Sequence, residues 1–240
     1  MPQDDETKRA AAYYDEFSGR YDRERGSGYF GFINDLEFDK IRPLAHNKRV
    51  LEIGCGTGLI LERTHEIAEE AVGVDISPGM IEECRRKGLN TRLINVSELP
   101  FEDDSFDLVY AFKVLPHIPD IRAVLSEAVR VTRPDGRMVF EFYNVWSFKA
   151  LNDWIKARVR RQPVYLRHDS LPKFLSHLPD SVEVASTRGI RIFGSAAFFY
   201  TVPVLGHLTR WLDKKTCESG LLCRFGGYFV VELKFNGERK

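Results

Sequence analysis

The chain has 240 residues, 43% of them hydrophobic, which is enough for one α/β domain with a packed core and some additions. Its 35 basic and 35 acidic residues cancel to a formal net charge of zero, so no overall positive field attracts nucleic acid. The acidic, polar N-terminus argues against a signal peptide, and the four cysteines lack the close spacing of a metal-binding motif. We therefore expect a cytoplasmic protein with no metal, no membrane span and no nucleic-acid partner.

Two helices are predicted at the start of the chain. Residues 5–25 carry aromatic side chains at helical spacing, and residues 33–45 have a second helical pattern. Glycines between the two predict a flexible joint. The first helix has two possible roles: an amphipathic helix that packs on the domain, or a lid over a ligand site.

A glycine-rich turn between a strand and a helix is the central feature of the sequence. Residues 50–53 form a short apolar run, glycines follow at positions 54, 56 and 58, and Leu59 opens an apolar helical pattern. Glycines allow a ligand to lie against the main chain, and a helix start offers unpaired N–H groups to an anionic group. Leu59 stands where a dinucleotide fingerprint has its third glycine, which argues against a pyrophosphate ligand.

The next predicted strand, residues 71–75, ends in Asp75. This acid lies about 20 residues beyond the glycine turn, where a carboxylate can accept hydrogen bonds from both hydroxyls of a ribose. The turn and Asp75 together predict a site for a nucleoside with a short polar tail.

The rest of the chain predicts alternating helices and strands. Helices are expected at 58–68, 78–87, 120–131, 147–161 and 170–178, and further strands at 91–95, 107–112, 137–143, 182–193 and 225–234. Residues 134–136 predict a turn. Proline, glycine and charged residues interrupt the apolar segment 194–212, which therefore favours a cover over an apolar substrate rather than a membrane span.

Four segments, in order along the chain, resemble the motifs of one family. They read EIGCGTG at 52–58, VGVDIS at 72–77, LPFEDDSFD at 99–107 and VRVTRPDGR at 129–137. They are similar to class I S-adenosylmethionine-dependent methyltransferases, in particular the small-molecule subgroup that includes the ubiquinone- and menaquinone-biosynthesis enzymes. The resemblance covers residues 50–142. It implies a doubly wound α/β fold, with a mostly parallel, Rossmann-like sheet of seven strands and an antiparallel last strand.

The resemblance also implies a single methyltransferase domain over residues 1–240. Residues 1–46 would form the N-terminal helical lid, 47–145 the cofactor-binding core, and 146–240 a C-terminal part with a substrate-covering insertion at about 194–222. The implied activity moves a methyl group from S-adenosylmethionine to a small-molecule acceptor without a metal. The alternatives are a non-catalytic cofactor-binding module, a nicotinamide-dependent oxidoreductase, which Leu59 disfavours, and an RNA or protein methyltransferase.

Most cofactor contacts implied by the resemblance fall within these motifs. The glycine turn would hold the methionine tail, Asp75 the ribose, and Ile76 and Met80 the adenine, although both could simply belong to the core. Relatives have an aspartate at the position of Asn95, whose amide oxygen can still accept a hydrogen bond from the adenine amino group. The full set is Tyr21, Glu52, Gly54, Cys55, Gly56, Gly58, Asp75, Ile76, Met80, Asn95, Val96, Ser97 and Phe112.

In the family, the lid often places a tyrosine near the methionine tail. Tyr21 is the first candidate for this role and Tyr14 the second, with simple packing as the alternative.

Two residues at the ends of predicted strands are candidates for acid–base catalysis. His117 follows the strand at 107–112, and an imidazole titrates near neutral pH. Relatives often have His-His where this chain has Pro116-His117, and a histidine that caps the next helix is the alternative. Glu141 lies near the end of the strand at 137–143, and its alternative is a solvated acid.

The sequence predicts an aromatic or lipid-like acceptor. Segments outside the cofactor motifs supply aromatic side chains for a pocket, namely Tyr14, Tyr143, Trp146, Phe198, Phe199 and Tyr200. Packing of the 194–212 aromatics against the lid is the alternative. The basic residues between 156 and 161 fit a solvated helix end better than an RNA-binding patch, because no aromatic platform accompanies them. The motifs leave open the atom that is methylated, whether oxygen, nitrogen or carbon, and the oligomeric state.

Overall fold

The computed structural model describes residues 2–159, 166–193 and 202–237. The helices are α1 (Pro2–Arg25), α2 (Gly28–Ala45), α3 (Leu61–His65), α4 (Pro78–Arg86), α5 (Arg122–Val131), α6 (Phe148–Val159), α7 (Leu171–Leu175) and α8 (Pro203–Thr216). The strands are β1 (Arg49–Ile53), β2 (Glu70–Asp75), β3 (Thr91–Leu93), β4 (Phe106–Ala111), β5 (Thr132–Asn144), β6 (His168–Asp169), β7 (Val182–Ile190) and β8 (Tyr228–Phe235). Short 3₁₀ turns lie at Leu115–His117 and Leu222–Phe225.

The strands form one mixed sheet in the order β3-β2-β1-β4-β5-β8-β7, and the short β6 pairs with the end of β5. The pairs among β1 to β5 are parallel, whereas β8 runs antiparallel to both β5 and β7. This topology confirms the predicted doubly wound fold with a mostly parallel sheet and an antiparallel last strand. The sequence did not predict β6, because two residues are too few to show a strand pattern.

Both faces of the sheet are covered by apolar layers. On one face, Phe140 belongs to a buried cluster with Val124 and Leu125 of α5. On the other face, Val139 belongs to a buried cluster with Ile33 and Ile41 of α2. Successive residues of β5 therefore point to opposite layers, as a pleated strand requires. The carboxyl ends of the parallel strands meet at one edge of the sheet, where open α/β folds bind their ligands.

Two predicted boundaries differ from the structure for local reasons. Helix α3 is limited to five residues, not 58–68, because the chain before it still forms the glycine turn, in which Gly58 has a φ of +83°. Strand β5 begins at Thr132, before the predicted turn. Its pairing with β4 jumps from Phe106–Thr132 to Leu108–Arg137, so residues 133–136 form an irregularity within the strand.

The predicted substrate cover falls partly outside the described residues. Phe198, Phe199 and Tyr200 lie there, whereas its later part forms helix α8 and the turn Leu222–Phe225. In the ranges 2–159, 166–193 and 202–237, no helix has both the length and the apolarity to cross a membrane.

Candidate active site

The glycine turn is fastened to the neighbouring strand and leaves space above it. The backbone N–H groups of Gly54 and Cys55 both donate to the carbonyl of Val74, at 2.8 and 3.0 Å. Gly56 has a φ of +54°, which side-chain-bearing residues rarely adopt, and a Cβ built there would meet no atom within 4 Å. A ligand can therefore lie directly against the backbone of Gly56, as the sequence predicted.

Asp75 links the end of β2 to this turn. One carboxylate oxygen accepts a hydrogen bond from the N–H of Gly56 and the other from the N–H of Ser77, each at 2.9 Å. Burial raises the pKa of Asp75, while these N–H groups oppose the rise. The carboxylate is thus fixed in position, and each oxygen keeps a lone pair for a ribose hydroxyl.

Glu52 and Cys55 support the turn from within the protein. The hydroxyl of Tyr110 donates to Glu52 at 2.9 Å, and burial raises the pKa of Glu52 well above its usual range. The thiol of Cys55 lies beside that of Cys84, and this contact together with burial raises the pKa of Cys55. One oxygen of Glu52 is already used within the protein, and the contacts of both residues with the cofactor stay predictions.

The other residues predicted to bind the cofactor differ in their exposure. Ile76 is partly exposed, whereas Met80, Val96 and Phe112 are buried. Ile76 therefore has more free surface than Met80 for contact with a base, and the role of Met80 stays a prediction. Asn95 and Ser97 are exposed, and the side-chain oxygen of Asn95 accepts a hydrogen bond from the N–H of Ser97 at 3.2 Å.

Helix α1 is tied to the glycine turn and to α4. The carboxylate of Asp15 accepts a hydrogen bond from the N–H of Gly79 at 2.6 Å, at the start of α4. Asp22 accepts a hydrogen bond from the hydroxyl of Thr57 and pairs with Lys87 at 2.7 Å. A side chain at Gly79 would collide with Ser18 and Asp15, so α1 and α4 need this glycine for their close approach.

The tyrosines of α1 face the interior of the site. Burial raises the pKa of Tyr21, and among the charged groups that act on it are Lys113 and Asp75. Tyr21 therefore lies near both Asp75 and Lys113, and its contact with the cofactor stays a prediction. The hydroxyl of Tyr14 and Nε2 of His117 are hydrogen-bonded at 2.8 Å.

His117 lies between α1 and the end of β5. Its ring packs edge-on against Tyr143 of β5, with 6.2 Å between ring centroids, and against Tyr14 of the lid. The alternative, a histidine that caps the next helix, has less support, because Asp120 accepts the N–H of Arg122 at the start of α5. The structure thus brings together the predicted histidine and two predicted pocket tyrosines.

Glu141 is not a solvated strand-end acid. Its side chain is buried, and its carboxyl group lies within hydrogen-bonding reach of the Glu37 carboxyl and of the backbone N–H of Lys113. Its neighbours are the carboxyl of Glu37 from α2 and Lys113, which follows β4. Burial, and then Glu37, raise the pKa of Glu141 well above its usual range, and Lys113 opposes the rise.

The sequence reading missed Glu37 and Lys113. The ammonium of Lys113 contacts Glu37 at 2.8 Å and the side-chain oxygen of Asn34 at 2.7 Å, and Lys113 has a φ of +59°. One signal was available: Glu37 lies one helical turn from Ile33 and Ile41, on the apolar face of α2. A carboxylate there has to be buried.

Trp146 does not belong to this group of residues. Its side chain is 72% exposed, which corrects its predicted place in the acceptor pocket. Asn144 is buried and turns the chain outward by accepting the N–H of Trp146 at 3.1 Å. Across the three described ranges, no group of three or more His, Cys, Asp or Glu side chains is arranged to hold a metal ion.

Comparison with known proteins identifies the core of the chain. Residues 51–140 match the model of a methyltransferase domain family. A demethylmenaquinone methyltransferase of Symbiobacterium thermophilum is 31% identical over 163 residues, which cover 58% of this chain and 64% of that protein. The chain spans about half to two thirds of the length of the curated relatives it matches.

Solved structures of S-adenosylmethionine-dependent methyltransferases share the fold. One from Thermotoga maritima aligns with a TM-score of 0.68 at 18% identity, over 93% of this chain and 98% of its own. The magnesium protoporphyrin IX methyltransferase of Synechocystis, which has S-adenosylhomocysteine bound, aligns with a TM-score of 0.64 at 16% identity, over 95% and 100%. At this level of identity the two structures support the fold.

Proposed function

We propose that the chain is an S-adenosylmethionine-dependent methyltransferase that transfers a methyl group to a small aromatic or lipid-like acceptor, which its match to a methyltransferase domain family over residues 51–140 supports. The observation that carries the proposal is the unit formed by Gly56 and Asp75. An open backbone and a fixed carboxylate meet there, 2.9 Å apart, at the carboxyl edge of the sheet. This arrangement suits the ribose and tail of S-adenosylmethionine.

The cofactor supplies an electrophilic methyl group, so the protein mainly has to orient the acceptor. Asp75 would hold the ribose, and the backbone at Gly56 would leave room for the methionine tail. Tyr21 would close the site from the lid. The contacts of Asp15 with Gly79 and of Asp22 with Lys87 hold that lid over α4.

The acceptor would lie between the lid and the end of β5. Tyr14, His117 and Tyr143 offer aromatic surfaces there, and Lys149 lies 3.6 Å from the ring centroid of Tyr143 and supports it from α6. A flat, apolar ring fits such a surface. The curated relative of Symbiobacterium is named for demethylmenaquinone, and we propose a quinone-related ring for this chain as well.

His117 is our candidate for proton transfer. If the acceptor atom carries a proton that must leave, Nε2 of His117 can take it, because the hydroxyl oxygen of Tyr14 at 2.8 Å can then accept a hydrogen bond from the protonated Nε2. Glu141 is less suited to act as a base in this structure, because its carboxyl group is fully buried beside Glu37 and Lys113. We also propose a cytoplasmic location, which the buried free thiols of Cys55, Cys84, Cys217 and Cys223 support.

Transfer of a labelled methyl group tests the proposal. The purified protein is mixed with S-adenosylmethionine that carries tritium in its methyl group and with a short-chain reduced demethylmenaquinone. We expect label in the extracted acceptor. Binding of S-adenosylhomocysteine without transfer to quinols, phenols or amines would instead support a non-catalytic binding module.

A further inference from the structure

Helix α6 has its apolar side chains on the outside. Phe148, Leu151 and Ile155 recur at helical spacing, and each is at least half exposed. The opposite side of the helix is polar and faces the protein, where Lys149 is buried and pairs with Asp153. A surface helix normally buries its apolar face, so the arrangement of α6 needs another explanation.

Helix α8 repeats this arrangement. Val204, Leu208 and Trp211 lie on one face at helical spacing, and each is at least half exposed. Asp213 is buried on the opposite face, where its carboxylate accepts a hydrogen bond from the backbone N–H of Ile192 at 3.0 Å. Two helices with an outward apolar face indicate a surface that binds something else. We call Trp146 together with the exposed faces of α6 and α8 the apolar surface.

Both helices are attached at the sheet edge that carries the candidate active site. Helix α6 follows the end of β5, and α8 is bonded to the segment that follows β7. The end of β7 and Tyr143 of β5 both pair with Tyr228, at the start of β8. A Cβ built at Gly227 would lie 3.2 Å from Cβ of Lys149 and 3.3 Å from Cδ of Arg191, so the two attachment points adjoin. The two helices therefore border the strand end that carries Tyr143.

All three tryptophans of the chain belong to the apolar surface. Trp146 precedes α6, Trp154 lies on α6 and Trp211 on α8, and each is more than half exposed. An indole ring combines a large apolar body with one N–H donor, and tryptophan is therefore enriched where a lipid bilayer meets water. Tryptophan is also common at interfaces between proteins, so the charges beside the surface have to decide between the two.

The charges beside the apolar surface are positive. Asp153 and Asp213 are the single acidic residues of α6 and α8, and both are turned toward the protein. Helix α8 ends in Lys214 and Lys215, which are exposed. In the sequence, one lysine and three arginines occupy positions 156–161, directly after the apolar residues of α6. Exposed tryptophan and aliphatic side chains with a basic rim fit a bilayer that has anionic headgroups.

We propose that the apolar surface docks onto a lipid bilayer with anionic headgroups. The outward side chains of α6 and α8 enter the boundary between headgroups and acyl chains, and the basic residues contact the headgroups. Docking goes beyond the proposed function, because it needs neither cofactor nor acceptor. It brings the strand end that carries Tyr143 to the membrane, where a lipid-like acceptor dissolves.

Vesicle flotation and tryptophan fluorescence test the docking. The wild type is mixed with vesicles of phosphatidylcholine and phosphatidylglycerol in equal amounts, and separately with vesicles of phosphatidylcholine alone. We expect the protein to float with the anionic vesicles and to bind the neutral ones at least about tenfold more weakly. Tryptophan emission should shift to shorter wavelength and be quenched by lipids with brominated acyl chains, because all three indole rings lie on the docking surface.

Two double variants remove apolar side chains and keep all three tryptophans. They are Leu151→Ser with Ile155→Ser on α6, and Val204→Ser with Leu208→Ser on α8. We expect each to bind anionic vesicles at least about tenfold more weakly at an unchanged melting temperature, because the four side chains are exposed. Leu93→Ser is the matched control, since Leu93 is also half exposed but lies on β3, at the opposite end of the sheet. It should bind vesicles like the wild type.

Lys214→Glu with Lys215→Glu tests the charges separately. This variant keeps every apolar side chain of the surface, and we expect it to lose the preference for anionic over neutral vesicles. A preference that stays unchanged, or equal binding of the wild type to both kinds of vesicle, would overturn the role given to anionic headgroups.

The remaining outcomes separate docking from other uses of the surface. If the wild type does not bind anionic vesicles, or if both double variants bind them as the wild type does, the proposal is overturned. A dimer that both double variants disperse, measured by sedimentation velocity without vesicle binding, overturns it as well and assigns the surface to a second copy of the chain. Vesicle binding without methyl transfer to any acceptor would support docking and count against the proposed function alone.

Discussion

The proposed cofactor side and the proposed acceptor side of this site depend on different kinds of contact. On the cofactor side, Gly54, Gly56 and Asp75 act through backbone geometry and through hydrogen bonds between adjacent strand ends. On the acceptor side, Tyr14 meets His117, which lies 103 positions further along the chain. A site that depends on backbone geometry can be predicted from a local sequence pattern. A site that depends on side chains far apart in the sequence cannot. The comparison predicts that changes on one side leave the other intact.

The largest effect should come from Gly56→Val. The new side chain would occupy the open space above the turn, where the methionine tail has to lie. We expect the affinity for S-adenosylhomocysteine to fall by at least about a hundredfold, measured by calorimetry. A non-glycine residue at positive φ also costs about 1–2 kcal/mol of stability.

Gly88→Val is the matched control for this change. Gly88 has a φ of +74° and equally open surroundings, at the end of α4. It should lower the melting temperature by a similar amount and leave the affinity unchanged. Equal losses of affinity in the two variants would show that strain, rather than the loss of space, causes the effect.

Asp75→Ala should have a smaller effect on binding. Hydrogen bonds to a charged group contribute about 1.5–3 kcal/mol, so we expect an affinity loss between about tenfold and about a hundredfold. Asp107→Ala provides the control, because Asp107 also accepts a backbone N–H, that of Arg49 at 2.9 Å, but at the opposite edge of the sheet. Unchanged affinity in Asp75→Ala, measured by the same titration, would remove Asp75 from the ribose site.

The smallest effect concerns stability on the acceptor side. Burial raises the pKa of Glu141, so the folded protein holds a proton that the unfolded chain releases above pH of about 4.3. The stability contribution of this group is therefore complete below that pH and is lost as pH rises through the raised pKa. Glu141→Gln has no such loss.

We expect Glu141→Gln and the wild type to have the same melting temperature near pH 4. At pH 8 we expect the melting temperature of Glu141→Gln to be higher than that of the wild type. A difference on the order of 1 kcal/mol corresponds to about 2–4 °C for a chain of this size. Thermal melts at the two pH values check this. A variant that melts lower at pH 8 would mean that Glu141 is ionised and stabilised by Lys113.

The sequence predicted the proposed cofactor side better than the proposed acceptor side. The glycine turn, Asp75 and the strand order were predictable, because each depends on residues close in sequence. The sequence also indicated Tyr14, His117 and Tyr143 one by one, but not that they touch. Lys113 and Glu37 were missed, because each is a single charged residue in an apolar segment. Only the folded structure shows that both lie beside Glu141. Trp146 was misplaced, because the outward turn at Asn144 is not visible as a pattern.

His117→Gln tests the separation of the two sides most directly. One preparation of this variant is titrated with S-adenosylhomocysteine and then assayed for transfer of the labelled methyl group to the short-chain reduced demethylmenaquinone. We expect an affinity within about twofold of the wild type and a transfer rate about a hundredfold lower, as for the loss of an acid–base group. A normal transfer rate, or a loss of affinity in proportion to the rate, would contradict the assignment of His117 to the acceptor side.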